Sequence, residues 1–221
     1  MLEIQNIVKT YRTKGNSYPV LKGITATVPN GAFVAVMGPS GSGKTTLLNV
    51  MSGFIGADGG SVILDGRNIL TGSENELSEI RQHKLGFVFQ DFMLLNGLTI
   101  RENIFLPQII VGKSAKEMEH DTKKLLSLFG ISDIADKYPV EVSGGQKQRA
   151  SIARALSNNP SIILADEPTG NLDSRMGAEV MELLHRLNKE DGRTIVMVTH
   201  NEEQAKQTSR TIRFFDGRQV Q

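Results

Sequence analysis

The stretch that decides the fold covers residues 33–51 and reads FVAVMGPSGSGKTTLLNVM. Five consecutive apolar residues predict a strand covered on both faces, and the run after the loop predicts a helix. Between them, Gly38, Gly43, Lys44 and Thr45 match the pattern G-x-x-x-x-G-K-[ST]. Glycines let backbone N–H groups close around a phosphate, and the helix adds the positive end of its dipole. The stretch therefore predicts a site for nucleotide phosphates.

The rest of the chain alternates apolar strands with amphipathic helices. Strands are predicted at residues 2–7, 24–28, 33–37, 61–64, 86–89, 161–165, 194–199 and 212–215. Helices are predicted at residues 44–52, 74–82, 100–110, 116–129, 145–156, 176–189 and 202–208. Strands are missing between about residues 91 and 159, which indicates an inserted helical subdomain. We therefore predict a core of residues 1–90 and 160–221 around an insertion of residues 91–159.

Composition narrows the classes of function. The 221 residues carry a formal net charge of +1, which gives no electrostatic reason to expect a nucleic-acid partner. Cysteine is absent, so thiol catalysis and disulfides are excluded. The opening residues contain no long apolar run, so no signal peptide is expected. The most apolar segments have the length of strands, so any membrane-spanning part is expected on another polypeptide.

Polar side chains follow several predicted strands at the edge where open α/β sheets bind ligands. Asp166 and Glu167 end the strand SIILADE, His200 ends TIVMVTH, and Gln90 ends LGFVFQ. Adjacent strand residues point to opposite faces, so the two carboxylates are predicted to take different tasks. Asp166 suits Mg²⁺ and Glu167 suits the attacking water, while His200 suits a γ-phosphate. Gln90 suits both the Mg²⁺ and that water.

A second glycine-rich helix start lies far from the first in the sequence EVSGGQKQRASIARAL. The helix is predicted to begin at Gly145, where Ser143 offers a hydroxyl and the two glycines offer unhindered backbone N–H groups. One nucleotide does not require two such starts within a single small chain. The second glycine-rich helix start therefore needs an explanation other than binding of the same nucleotide.

In this order, the motifs resemble those of ABC transporter nucleotide-binding subunits over essentially the whole chain. The resemblance implies an α/β P-loop NTPase (RecA-like) core with an N-terminal antiparallel β subdomain and the inserted α-helical subdomain. It implies ATP and Mg²⁺ as cofactors, with Thr45, Gln90 and Asp166 at the metal. The resemblance assigns catalysis to Glu167, His200, Gln90 and Lys44. The nucleotide contacts that it implies are Tyr11, Gly38, Pro39, Ser40, Gly41, Ser42, Gly43, Lys44, Thr45, Thr46, Ser143, Gly144, Gly145, Gln146 and Asp173.

The resemblance also answers the question of the second helix start. In this family two subunits dock head to tail, and the glycine pair of one caps the ATP held by the loop of the other. Ser143, Gly144 and Gly145 are therefore expected to serve a second copy of the chain. The aromatic residue that stacks on adenine is expected at Tyr11, although Tyr18 stays open as an alternative.

Within the family, the chain looks most like exporters of macrolides and antimicrobial peptides and like lipoprotein-releasing systems. This implies a subunit on the cytoplasmic face of the membrane that drives a permease with a large extracytoplasmic domain. Four consecutive apolar residues, Phe92–Leu95, follow Gln90 and are predicted to dock that permease. We call them the apolar segment. The alternative output is a signal, through control of cell-wall hydrolases or antibiotic sensing. ABC proteins of chromosomes or ribosomes fit less well, because no long coiled coil and no second cassette is present.

Overall fold

The computed structural model describes Met1–Val220 and divides into two compact units. The first unit contains Met1–Arg81 together with the segment that starts at Arg186, and the second unit contains Gln82–His185. Within Met1–Val220, no helix is both long enough and apolar enough to cross a bilayer. The finer division into a core and an insertion of residues 91–159 stays a prediction.

Each predicted helix and strand is present, and outside the first hairpin the ends differ by no more than about two residues. The two-residue strands Arg67–Asn68 and Arg218–Gln219 were not among those predicted. The strands are β1 Leu2–Thr13, β2 Asn16–Val28, β3 Phe33–Met37, β4 Gly59–Leu64, β5 Arg67–Asn68, β6 Leu85–Val88, β7 Ile162–Asp166, β8 Thr194–Thr199, β9 Arg210–Phe215 and β10 Arg218–Gln219. The helices are α1 Lys44–Met51, α2 Glu74–His83, α3 Ile100–Ile110, α4 Ala115–Leu128, α5 Gly144–Leu156, α6 Ser174–Lys189 and α7 Glu202–Lys206.

The first unit contains an antiparallel sheet and a largely parallel sheet. The antiparallel sheet has the order β2-β1-β4-β5. In the other, β3 pairs in parallel with both β8 and β9, and β10 forms a hairpin with β9. Every residue of β3 and of β8 is buried, as expected for continuous apolar strands covered on both faces. This packing holds the carboxyl end of β3, where the glycine-rich loop begins, in a fixed position.

The first hairpin is longer than the sequence pattern predicts. β1 continues to Thr13 and β2 starts at Asn16, whereas the predicted strands end at residue 7 and begin at residue 24. The extra residues are mostly polar and exposed, so hydrophobic periodicity gives no signal there. Backbone pairing around a two-residue turn, with Gly15 at φ +88°, forms this end of the hairpin.

The second unit contains the parallel pair β6 and β7 together with helices α3, α4 and α5. Each of these helices begins with a reciprocal capping box, at Thr99, Ser114 and Ser143. Such a box satisfies two backbone donors at a helix start and fixes where the helix begins. Buried polar contacts join two of the helices, since Gln108 Nε2 donates to Thr122 Oγ1 at 3.0 Å.

Candidate active site

The glycine-rich loop joins β3 to α1 and is closed by its own lysine. Lys44 is buried, with 6% of its surface exposed, and its Nζ donates to the carbonyl oxygens of Gly38 at 2.8 Å and Pro39 at 2.9 Å. Gly43 precedes α1 at φ +100° and provides no side-chain cap. An uncapped helix start attracts an anion, because N–H dipoles point out of it. The loop therefore places an ammonium group beside a helix start suited to phosphate.

Glycine is required in this loop because neighbouring strands approach it closely. A Cβ on Gly38 would lie 2.4 Å from the Phe214 carbonyl oxygen, and one on Gly43 would lie 2.9 Å from the Val20 carbonyl oxygen. Ser42 Oγ is buried and has no hydrogen-bond partner in the described part of the chain. A phosphate oxygen would satisfy that donor, so the residues present fit a bound triphosphate.

The turn between β9 and β10 contacts the glycine-rich loop through backbone hydrogen bonds. The Gly217 N–H donates to the Ser42 carbonyl at 3.2 Å, and the Lys22 N–H donates to the Gly217 carbonyl at 2.8 Å. Lys22 Nζ also lies 2.8 Å from Asp216 Oδ2, and this contact lowers the pKa of the Asp216 carboxyl. The sequence DGR at residues 216–218 is typical of a turn, but it does not indicate that the turn contacts the loop.

His200 is exposed directly after β8 and lies beside the same loop. It lines a cavity of about 350 Å³ together with Gly38 and Pro39. Glu202 and Arg213 also line the cavity and form a two-pronged ion pair at 2.7 and 2.8 Å. Hydrogen bonding to Arg213 lowers the pKa of Glu202. The structure thus brings together His200 and the phosphate loop, as the sheet-edge argument predicts.

The two candidate adenine-stacking residues face each other in the first hairpin. Tyr11 on β1 pairs with Tyr18 on β2, and both are exposed, at 42% and 52%. Lys9 Nζ lies 5.8 Å from the centre of the Tyr11 ring, within range of a cation–π contact. Neither exposure nor pairing separates the two tyrosines, so both stay candidates.

The second unit carries the acidic pair, and its geometry corrects one sequence argument. Asp166 ends β7, but Glu167 lies outside the strand, at φ +44° in the left-handed region. The direction of the Glu167 side chain is therefore set by this turn. The expectation that strand alternation sets it was wrong. The Gly170 N–H donates to the Glu167 carbonyl at 2.9 Å and closes the turn. A non-glycine residue in this region costs about 1–2 kcal/mol, which marks a constrained position.

Gln90 lies against the same turn. Its Nε2 is 3.0 Å from the position that a Cβ on Gly170 would take, so only a glycine leaves room for it. Asn171 Nδ2 donates to the Gln90 carbonyl at 3.0 Å and to Asp91 Oδ1 at 2.9 Å. The structure therefore brings Gln90 to the loop that carries Glu167. Asn171 was missed by sequence reasoning, because a lone Asn in a loop gives no specific signal.

The second helix start begins at Gly144, one residue earlier than predicted. The Ser143 N–H donates to Gln146 Oε1 at 2.9 Å, and the Gln146 N–H donates to Ser143 Oγ at 3.3 Å. A Cβ on Gly145 would lie 2.6 Å from Met176 Sδ, so this glycine allows close packing of α5 on α6. Ser143 itself is exposed. At this helix start, Gly145 therefore serves the packing of α5 on α6, whereas Ser143 lies on the surface.

Asp173 lies just before α6 and contributes to its start. Its Oδ1 accepts the Met176 N–H at 2.9 Å, and its carbonyl accepts the Gly177 N–H at 2.8 Å. The side chain is exposed nonetheless. A capping role is thus visible for this residue, and the nucleotide contact expected from the resemblance stays a prediction.

The apolar segment is partly exposed and has an unusual backbone. Met93 and Leu95 are 58% and 49% exposed, whereas Phe92 and Leu94 are half-buried. Phe92 and Met93 have φ angles of +60° and +52°, so two bulky residues in succession adopt the left-handed conformation. Arg154 on α5 donates to the carbonyl oxygens of both. Burial lowers the pKa of the Arg154 guanidinium.

The residues predicted at the metal offer hard oxygen ligands. Thr45 contributes a hydroxyl, Gln90 an amide oxygen and Asp166 a carboxylate, which suit Mg²⁺ when phosphate and water complete its shell. Within the described residues no group of three or more His, Cys, Asp or Glu side chains is placed to hold a metal ion.

Comparison with known proteins establishes the family. The family model described as ABC transporter matches residues 21–170, from β2 through the acidic turn. The chain belongs to the ABC transporter family. Its α/β fold is confirmed by the ATP-binding cassette MJ0796, which has a TM-score of 0.93 and 40% identity over 100% of this chain and 97% of the other. That structure is described as dimeric, in a post-hydrolysis state bound to ADP and Pi.

Two curated relatives match nearly the whole of this chain. A bacitracin export ATP-binding protein, BceA, of Halalkalibacterium halodurans is 48% identical over 98% of this chain and 86% of its own. A macrolide export ATP-binding/permease protein, MacB, of Aggregatibacter actinomycetemcomitans is 44% identical over 98% of this chain and 34% of its own. The resemblance to an ABC ATP-binding subunit of macrolide and peptide export type is confirmed.

These matches fix the general activity. The chain is an ATP-binding ATPase, and as an ABC transporter subunit it works with a membrane permease. The expectation of ATP as the nucleotide is confirmed by the family and by the ADP-bound relative.

Proposed function

We propose that two copies of this chain bind and hydrolyse Mg²⁺-ATP to power export by a separate permease. The observation that carries the proposal is the loop that closes around Lys44, with an uncapped helix start and close backbone contacts at Gly38 and Gly43 that leave no room for a Cβ. The names of the relatives support a bulky antibiotic, such as a bacitracin-like peptide or a macrolide, as the cargo. The same names favour export over a purely signalling output.

Each candidate residue has a task that its chemistry supports. The Lys44 ammonium moves from the loop carbonyls to the β- and γ-phosphates when ATP binds. Thr45, Gln90 and Asp166 would hold Mg²⁺, which would supply positive charge to neutralise the phosphates. Glu167 accepts a proton from the attacking water, and Gln90 orients that water. His200 donates a hydrogen bond to the γ-phosphate, since it lies beside Gly38 and Pro39 at the loop.

The second helix start serves the other copy. Ser143 is exposed at the start of α5, where the helix dipole and the N–H groups favour a γ-phosphate. The dimeric state of the MJ0796 structures supports this arrangement. Asp173 lies at the same contact between copies. ATP then joins the two copies, and its hydrolysis separates them.

The permease is proposed to carry a large extracytoplasmic domain and to contact the apolar segment from the membrane side. Two exposed apolar side chains, Met93 and Leu95, support docking at this place. The ATPase would then lie on the cytoplasmic face of the membrane without entering it. The proposed core of residues 1–90 and 160–221 binds the nucleotide, and residues 91–159 carry the surface that the permease contacts.

Glu167→Gln tests the hydrolytic and dimeric parts together. We expect ATP to bind with parental affinity while turnover falls by about 10²–10⁴-fold, the contribution of a general base. ATP should also convert the variant from monomer to a stable dimer in size-exclusion chromatography. Adding Ser143→Arg should leave ATP binding intact and abolish that dimer, whereas adding Ser143→Ala should only weaken it, because the backbone donors remain.

Two results would contradict the proposal. Rapid hydrolysis by Glu167→Gln would remove the base assignment. Loss of ATP binding by the dilute Ser143→Arg monomer would mean that the second helix start belongs to the same copy's own nucleotide.

A further inference from the structure

The apolar segment is held at both ends by side chains from two helices of the second unit. Arg154 on α5 donates Nη2 to the Phe92 carbonyl at 2.9 Å and Nη1 to the Met93 carbonyl. Asn103 on α3 is wholly buried, and its Oδ1 accepts the Leu95 N–H at 2.8 Å. Its Nδ2 donates to the Leu95 carbonyl at 3.1 Å. A segment with exposed apolar side chains is therefore fixed through its backbone.

The geometry of the Arg154 contact explains why an arginine is needed. Two successive residues in the left-handed conformation are disfavoured, yet here their carbonyls are held by one guanidinium. The planar guanidinium presents several N–H groups in a fixed fork and can hold two acceptors at once. A lysine ammonium carries the same charge on a flexible stem and does not impose that geometry. The turn at Phe92 and Met93 thus depends on the shape of the Arg154 side chain.

The apolar segment also lies near the start of α5. Phe92 Cζ lies 4.0 Å from the position that a Cβ on Gly144 would take, and Leu172 Cδ2 lies 3.5 Å from it. The segment therefore lies near the first residue of α5 and is hydrogen-bonded to Arg154 near the end of the same helix. A continuous helix keeps its first residue and Arg154 at a fixed separation, so a displacement of α5 is expected to carry the segment with it through the Arg154 hydrogen bonds.

We propose that Arg154 is a positioning residue that makes the apolar segment and α5 move as one body. The inference rests on the proposed function and deepens it. When Ser143 at the start of α5 engages the nucleotide of the second copy, the segment is carried along and changes how it meets the permease. Arg154 is therefore required for transmission and not for the chemistry at Glu167.

The absence of cysteine in the sequence allows a direct test. Met93→Cys introduces the single thiol of the chain on an exposed side chain, where an environment-sensitive fluorophore can be attached. In the Glu167→Gln background, ATP should shift the emission of this label with the same ATP midpoint as dimer formation. Adding Arg154→Lys should leave the ATP midpoint of dimer formation within about threefold, but reduce the emission change at least fivefold.

Arg149→Lys is the matched control on the same helix. Arg149 forms an ion pair with Glu179 on α6, and within Met1–Val220 it makes no hydrogen bond or ion pair with the apolar segment. We expect this variant to keep both the dimer and the emission change. An undiminished emission change in Arg154→Lys would overturn the proposal. So would a parent protein that forms the dimer without any change at position 93.

A second measurement covers the case in which Arg154→Lys does not fold. Hydrogen exchange on Glu167→Gln follows amides at residues 90–96 and 143–149 during an ATP titration. Protection of both regions with one common midpoint supports a single body, and separate midpoints overturn it. If ATP produces no dimer in size-exclusion chromatography of the unlabelled variant, the proposed function itself has failed. That result is distinct from a dimer whose apolar segment does not respond.

Discussion

Gly38→Ala should impair the phosphate loop because of one contact with a backbone atom. The added Cβ would lie 2.4 Å from the Phe214 carbonyl oxygen, whereas real Cβ contacts are essentially never shorter than 3.0 Å. Either the loop or the strand must therefore move by about 0.6 Å. Phe214 lies on β9, where it pairs with Gln219, and β9 pairs in turn with β3. The strand is held on both sides, so the loop is expected to move.

The magnitude follows from the sensitivity of phosphate binding to position. A misplacement of about 1 Å costs about 100-fold in rate. A displacement of about 0.6 Å is thus expected to reduce kcat/KM for ATP by roughly 10- to 100-fold, or roughly 1.4–2.7 kcal/mol at about 1.36 kcal/mol for each factor of ten. Part of the loss should appear in binding, because Lys44 Nζ contacts the Gly38 carbonyl itself.

Gly41→Ala is the matched control in the same loop. No atom lies within 4 Å of a Cβ at this position, and only its φ of +77° opposes a side chain. An alanine there costs about 1 kcal/mol, or about fivefold. Steady-state ATPase rates and isothermal titration with ATP on both variants measure the difference, and thermal unfolding checks that both are folded. Parental kinetics for Gly38→Ala, or a larger loss for Gly41→Ala, would refute the steric reasoning.

Two further predictions concern the permease and the pH dependence of stability. Tagged protein should retrieve from membranes a permease with a large extracytoplasmic domain. The Met93→Asp variant should no longer retrieve this permease, whereas the surface control Lys123→Asp should still do so. Equal recovery of the permease by the two variants would argue against docking at the apolar segment. The hydrogen bond from Arg213 lowers the pKa of Glu202 below the ordinary glutamate value of 4.5. This pair therefore stabilises the fold above that pH, and its contribution is lost as the pH falls through the lowered pKa. Urea unfolding should therefore show an advantage of the parent over Glu202→Gln at pH 7 that disappears toward pH 3, and an advantage that grows on acidification would contradict this sign.

The parts of the fold that depend on buried, regular patterns could be predicted from the sequence. The continuous apolar run of β3 and the alternation of apolar and polar faces along the helices locate these elements within about two residues. The phosphate loop was recognisable because Gly38, Gly43 and Lys44 have a chemical task at a fixed spacing. His200 was placed at the same edge by a rule about the carboxyl ends of parallel strands, and it does line a cavity with Gly38.

The parts that depend on single long-range contacts could not be predicted. The hydrogen bond from the Gly217 N–H to the Ser42 carbonyl joins residues that are far apart in the sequence. The DGR pattern of the turn carries no information about which residue the turn contacts. Asn171 and Asn103 hold loops through side-chain contacts with backbone atoms, and isolated asparagines occur in many loops for other reasons. The start of α5 at Gly144 follows from a capping box that Ser143 and Gln146 do encode, so that boundary was available from the sequence.

Backbone strain shows where the second unit is constrained for function. Seven non-glycine residues among Met1–Val220 have positive φ, and four of them are the residue types that tolerate this conformation, Asn6, Asp65, Asn159 and Asp216. The other three are Glu167, Phe92 and Met93. Residues held in a disfavoured conformation persist only where their surroundings determine it, and such positions cluster at functional sites. Arg154 supplies the determining contact for Phe92 and Met93, and the Gly170 N–H closes the turn at Glu167. The proposed catalytic base and the proposed docking segment are thus the two places where this unit keeps side chains that an unconstrained turn would replace with glycine or asparagine.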